Sequence, residues 1–337
     1  MPELGGAGAC LGGQLRWRTP PVVGLDAAVT LHHDELAIDE DLVRRMIADQ
    51  LPAYAGAPVR QLAASGSSNL LFRLGDDLLV RLPRQPGGSA SILKEARWLP
   101  HLQDSLPTAV PEIVAVGEPG HGYPEHWSVV RWVHGEHPTA AGPDTGSRDR
   151  LAGDLAGVVR ALRELEVPPE ARHDAGLRWY RAEPLTAIDS DIRGYAKQCR
   201  AIPDLDLDID AVLLVWDEAM AVAADGPEPG THWLHGDLLT ENLLVRNGRL
   251  AAVLDFGGLA VGDPTVDLVT AWELLDPEAR ARFRADVGLD DRTWLLGRAW
   301  ALAIAVMTFP YYWRTMPERS AGRLALAQQV LLDAESG

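Results

Sequence analysis

The chain's 337 residues, 47% of them hydrophobic and 23% charged, suffice for two hydrophobic cores and exclude both a disordered chain and a miniature scaffold. Thirty-one Lys and Arg against 48 Asp and Glu leave a net charge of −17, a field that repels nucleic-acid phosphates and anionic lipid, so no nucleic-acid partner is expected. Two cysteines, Cys10 and Cys199, make no disulfide framework or cysteine-based zinc site; with no secretory leader and no apolar run of ~20 residues, a cytoplasmic protein without a membrane partner is expected.

Residues 1–30 hold six glycines and the Pro20-Pro21 pair without apolar periodicity, which predicts a mobile tail. Asp39 then opens a helical pattern in which Leu42, Val43, Met46 and Ile47 share a face, with Pro52 just past its end. Two β-rich runs, 69–74 and 77–82, flank Gly75-Asp76 and read as a hairpin. A helix over 94–102 and strands over 112–116 and 127–133 follow. From Asp144 the pattern turns helical, starting with the stripe Leu151, Leu155, Val158, Leu162 and Leu165 and stopping at Pro168-Pro169. The boundary between two lobes therefore falls near 133–135. A second hairpin, 242–246 with 249–256, turns on Asn247-Gly248, the dipeptide with the strongest type I′ preference. Helices are predicted near 266–275, 278–287, 291–308 and 317–334.

Chemistry concentrates around that second hairpin. His235-Gly236-Asp237-Leu238-Leu239-Thr240-Glu241-Asn242 precedes it and Asp255-Phe256-Gly257 follows it. Phosphoryl transfer needs a carboxylate to orient and deprotonate an attacking hydroxyl, and oxygen ligands for the Mg²⁺ that neutralises the nucleotide phosphates. Asp237 suits the first role, Asn242 and Asp255 the second, because a strand out and a strand back return Asp255 to the neighbourhood of Asn242. His235 reads as a packing and hydrogen-bonding residue rather than a proton carrier.

These residues resemble the motifs H-x-D-L-x-x-x-N and D-F-G of the protein-kinase-like fold, and Gly236 after the histidine, where Arg is usual, points to its small-molecule branch. The chain is similar, over roughly residues 60–330, to the aminoglycoside phosphotransferase family; Gly262-Asp263-Pro264 with Asp267 looks like that family's G-D-P-x-x-D segment, whose last aspartate buttresses the catalytic loop. The resemblance implies an α+β, two-lobed fold: tail 1–30, a small β-rich nucleotide-binding lobe 31–134, and a larger helical lobe 135–337 for catalysis and the acceptor. It implies γ-phosphoryl transfer from ATP or GTP, with Mg²⁺, to a hydroxyl of a small molecule, Asp237 acting as base. On the nucleotide side, Ser65, Gly66, Ser67, Ser68 and Asn69 stand where a glycine-rich loop covers phosphates. Arg81 occupies the place of the strand lysine, with Glu95 as its helix partner and Lys94 as a rival ligand. Arg131 and Val133 mark the hinge whose backbone would meet the purine.

Residues 135–337 carry 20 basic and 33 acidic groups, against 11 and 15 in residues 1–134, so the acceptor lobe is the acidic one. That suits a cationic acceptor of aminoglycoside type, although most of these carboxylates read as a solvated face. Trp272, Trp294, Trp300, Phe309, Tyr311, Tyr312 and Trp313 read first as helix packing and second as a pocket for a bulkier ligand such as a macrolide. A hydroxylated metabolite is a further alternative, and a nucleotide-binding pseudokinase is the reading from another class. The oligomeric state is not legible.

Overall fold

In the computed structural model Asp39 caps the first helix as its position predicts: its carboxylate accepts the Leu42 N–H at 2.7 Å at the start of α1 (Glu40–Gln50). The structure describes residues 34–62, 68–139, 145–226 and 230–336; the predicted tail lies outside them. The chain divides into two compact units, one comprising described residues up to Leu93 together with Ile113–Arg131, the other Lys94–Glu112 and Trp132 onward.

The first unit is built on an antiparallel sheet. β1 (Val59–Gln61), β2 (Asn69–Leu74), β3 (Leu78–Pro83), β4 (Ile113–Gly117) and β5 (Trp127–Arg131) lie in the order β1-β2-β3-β5-β4. Phe72, Val80 and Val129, in register across β2, β3 and β5, bury one face of the sheet with Leu42, Val43, Met46 and Ile47 of α1. Side chains alternate along a strand, so Arg81 stands on the opposite face between Leu71 and Ser128. The next helix, α2 (Ser89–Gln103), begins five residues before the predicted start. Glu125 explains the early start: its carboxylate accepts the N–H groups of Gly87 and Ser89 and the Ser89 hydroxyl, a cap supplied from far along the chain.

In the second unit α3 (Thr145–Glu164), α4 (Pro169–His173), α5 (Asp189–Cys199) and α6 (Ile209–Asp225) precede β6 (His232–Leu234). The hairpin β7 (Leu243–Arg246) and β8 (Arg249–Val253) follows, and Asn247 and Gly248 take the left-handed φ values, 55° and 70°, that a type I′ turn demands. β9 (Ala260–Gly262) pairs with β6. The helix predicted at 266–275 opens instead as a 3-10 segment, Pro264–Val269, capped by Asp263, before α7 (Thr270–Leu274). α8 (Pro277–Val287), α9 (Asp291–Tyr312) and α10 (Pro317–Ser336) complete the unit.

α9 is the axis of this unit, with α5, α6, α10 and the 3-10 segment packed on it. It is long and apolar enough to cross a membrane by length and composition, yet Trp300, Ile304, Val306 and Phe309 are spent in the core. It runs four residues past its predicted end, through Pro310. A proline there cannot donate to the carbonyl of Val306, and the Cys199 thiol takes that donor's place, 3.5 Å from the Val306 oxygen. Burial pushes the Cys199 pKa up to about 12, which keeps the thiol protonated for this bond.

The aromatic group divides. Trp272, Trp294, Trp300 and Phe309 are core residues, whereas Tyr311, Tyr312 and Trp313 at the end of α9 are half-buried. Among the carboxylates of residues 276–291, Asp276 and Asp290 cap α8 and α9, Asp286 pairs with Arg282, and Asp291 with Arg284.

Candidate active site

β6 delivers His235 into the interior of the second unit, where it is fully buried. Its Nδ1 accepts the Asp237 N–H at 3.2 Å and its Nε2 donates to the Leu254 carbonyl at 2.9 Å. An amide can only donate and a carbonyl only accept, so the ring is neutral with its proton on Nε2. It ties the Asp237 loop to the end of β8 and is not a proton carrier.

The loop's backbone hangs on Asp267. Its two carboxylate oxygens accept the N–H groups of His235 and Gly236, each at 2.7 Å, the buttress that the G-D-P-x-x-D resemblance implies. Burial raises the Asp267 pKa against those hydrogen bonds, which lower it. Gly236 has φ +79°, and a Cβ on it would lie 2.6 Å from the Gly258 carbonyl oxygen and 2.6 Å from the Trp179 ring. No side chain fits there, which accounts for glycine where the kinase motif has arginine.

Asn242 joins the two halves of the site. Its side-chain amide donates to the Asp237 carbonyl at 2.8 Å and to Asp237 Oδ2 at 3.0 Å, while its backbone carbonyl accepts the Leu254 N–H at 2.7 Å. Asp237, Asn242 and Asp255 are thereby gathered. Because Nδ2 makes the donations, the carboxamide oxygen of Asn242 keeps its lone pairs for another partner. Asp255 holds a left-handed backbone, φ 56°, and its Oδ1 accepts the Gly257 N–H at 3.2 Å.

Two features escape the motif reading, and Lys94, the rival phosphate ligand, makes a contact of its own. Arg181, in a 3-10 turn at Tyr180–Ala182, donates to Asp237 Oδ1 at 2.5 Å and to the Gly236 carbonyl at 2.9 Å. Burial raises the Asp237 pKa, but Arg181, aided by Arg323, outweighs it and holds the carboxyl below the usual carboxylate range. Glu273 of α7 accepts the Thr240 N–H at 2.6 Å, and Arg323 of α10 bridges Glu273 and Glu241, so two distant helices fix the loop between Asp237 and Asn242. Lys94 donates to the Gly257 carbonyl at 2.6 Å; burial lowers its pKa, while Glu95, Asp255 and Asp174 favour its charge. The three consecutive residues Trp179, Tyr180 and Arg181 carried a signal, two aromatics beside a guanidinium, but no periodicity that tied them to the loop.

The nucleotide-side residues are distributed as follows. Ser65, Gly66 and Ser67 lie outside the described residues. Ser68 accepts the Arg84 N–H through its carbonyl, and Asn69 opens β2 opposite Pro83. Arg81 in the first unit and Glu95 in the second are both buried. Arg131 ends β5 and is exposed, and Val133 follows it, half-buried.

Among the described residues no cluster of three His, Cys, Asp or Glu is arranged to hold a metal. The pair Asn242 and Asp255 offers two hard oxygen donors with no nitrogen or sulfur. Such a set fits Mg²⁺, which keeps most of its ligands as water and phosphate oxygens.

The model of the phosphotransferase enzyme family matches residues 59–301. Among solved structures, the chain is similar to an aminoglycoside 2"-phosphotransferase in complex with GDP and kanamycin, at 22% identity and TM-score 0.64, covering 88% of this chain and 98% of that one. A GDP complex of wild-type aminoglycoside 2'-phosphotransferase-IIIa matches at 21% identity and TM-score 0.65, covering 88% and 100%. A macrolide 2'-phosphotransferase from Brachybacterium faecium matches at 20% identity and TM-score 0.55, covering 87% and 97%. Among curated protein sequences none matches significantly. The structural likenesses show a protein-kinase-like α+β fold.

Proposed function

The chain belongs to the phosphotransferase enzyme family, and from that premise we propose that it moves the γ-phosphoryl group of ATP or GTP to a hydroxyl of a small molecule, an aminoglycoside-type acceptor first among them. The observation that carries this reading is the double tie through Asn242, which gathers a base, a carboxamide oxygen and a second carboxylate in one place.

Asp237 receives the acceptor hydroxyl. As the oxygen attacks the γ-phosphorus and the bond to the bridging oxygen breaks, the proton passes to the Asp237 carboxylate and the nucleoside diphosphate leaves. A quarter of the Asp237 side chain is exposed, enough for an acceptor to reach it. Asn242 and Asp255 would hold Mg²⁺, which supplies charge neutralisation at the phosphates. Arg81, with Glu95, and the segment 65–69 would grip the phosphates, with Arg131 and Val133 at the purine.

The acceptor class draws support from the kanamycin complex of a similar fold and from the acidic balance of residues 135–337. With Asp276, Asp286, Asp290 and Asp291 engaged in caps and ion pairs, that attraction rests on the whole lobe's charge. A macrolide is the second reading: the half-buried Tyr312 stacks on Arg319, whose partner Glu241 belongs to the catalytic loop. A pseudokinase would not require Asp237, Asn242 and Asp255 together. Mass spectrometry after incubation with ATP or GTP and pooled hydroxylated antibiotics and metabolites tests the reading; a gain of about 80 daltons on one acceptor is expected, the mass of an added phosphoryl group. Nucleotide binding without any such product would instead favour the pseudokinase.

A further inference from the structure

Among the described residues, Arg181 is the one charged side chain bonded to Asp237 that the motifs leave without a task. Its guanidinium is fixed before it meets the carboxylate. Nε donates to the Tyr180 hydroxyl at 3.0 Å, Nη1 donates to the Gly236 carbonyl, and Cζ lies 4.8 Å from the centre of the Trp179 ring. Trp179 is wedged in turn against Gly236 and Gly258, the two glycines of the catalytic loop and the Asp255 turn. The loop from His235 to Asn242 has no cation of its own once His235 is neutral, so the Trp179–Arg181 turn supplies one from outside.

A carboxylate has about four lone-pair sites. Arg181 takes one on Oδ1 and Asn242 takes one on Oδ2. Gripped at both oxygens, the group cannot turn about its last torsion, and its two remaining sites keep a single direction. We propose that Arg181 is a positioning residue of the transfer site, holding Asp237 with its unused lone pairs toward the acceptor hydroxyl. This rests on the phosphoryl-transfer reading above. Lysine at the position would keep the charge but lose the planar group that holds Tyr180 through Nε while Nη1 serves Gly236 and Asp237.

The experiment compares Arg181→Met and Arg181→Lys with the wild type in steady-state kinetics and in crystal structures. Methionine keeps apolar contact with Trp179 while removing every donor, and a thermal melt followed by circular dichroism checks that the variant folds. A misplacement of about 1 Å costs up to ~10²-fold in rate; the expected result is a fall of that order in kcat for Arg181→Met. Acceptor KM and nucleotide affinity should change by less than about threefold, and lysine should restore part of the rate. In the crystal, the Asp237 carboxylate of Arg181→Met should have turned away from Asn242. A methionine variant with wild-type kcat, or with Asp237 unmoved, overturns the proposal. If the wild type phosphorylates no acceptor, the transfer reading fails by itself, and the orientation of Asp237 in the variant still decides the role of Arg181.

Discussion

The loop from His235 to Asn242 and the turn from Asp255 to Gly258 are joined by the Asn242 to Leu254 hydrogen bond, yet they are held in different ways. The loop is fixed by side chains from elsewhere: Asp267, Arg181, Glu273 and Arg323 each reach in from a separate element. The turn is shaped by its own backbone, a left-handed Asp255 and a glycine pressed by Trp179, with Lys94 on the Gly257 carbonyl. A loop fixed by many distant partners rearranges only if several contacts break together. The turn has fewer such partners, Trp179 and Lys94, around its left-handed Asp255. Asp237, the proposed base, is therefore set before nucleotide arrives.

The sharpest break comes at Asp267. Truncation in Asp267→Ala leaves two buried N–H groups without acceptors, each costing about 1–3 kcal/mol, so the unfolding free energy should fall by about 2–6 kcal/mol in a denaturant titration. Asp267→Asn keeps one acceptor oxygen and should lose about half as much. A wild-type midpoint for the alanine variant would mean that the loop does not depend on this side chain.

Asp255→Asn should spare stability, because the carboxamide oxygen still accepts from Gly257, but weaken magnesium-dependent nucleotide binding about 10- to 100-fold. Titration calorimetry with and without Mg²⁺ separates the two effects. An unchanged magnesium dependence would remove Asp255 from the metal site. On the phosphates, Arg81→Ala should weaken nucleotide binding more than Lys94→Ala, which should act by loosening the Asp255 turn; the reverse ranking would hand the phosphate role to Lys94. The smallest effect concerns the acceptor. Raising ionic strength from about 0.01 to about 0.15 M shortens the Debye length from roughly 30 to roughly 8 Å, so the KM of a polyamine acceptor should rise several-fold. A flat salt response with a neutral or singly charged best acceptor would favour the macrolide reading and the half-buried tyrosines of α9.

The same contrast separates what the sequence makes legible from what it hides. The β7–β8 hairpin and α1 can be read locally, because Asn-Gly dictates its turn and Asp39 its cap. The gathering of Asp237, Asn242 and Asp255 follows from that hairpin, which is why their proximity is predictable from spacing. The start of α2 is not, since Glu125 caps it across 36 residues. Neither is the extension of α9 past Pro310, which depends on a thiol from α5. The grip of Arg181 on Asp237 spans 56 residues. Contacts made by tertiary packing alone have no local signature.

The central claim is that Asp237 moves a proton and does not hold nucleotide. Its most direct test measures transfer and nucleotide affinity on the same sample of Asp237→Asn. A positioned base contributes ~10²–10⁴ in rate, so the rate of acceptor phosphorylation, followed by phosphorus NMR, should fall by that factor while the nucleotide Kd stays near wild type. A variant that keeps more than about a tenth of the wild-type rate, or that loses nucleotide together with transfer, would contradict it.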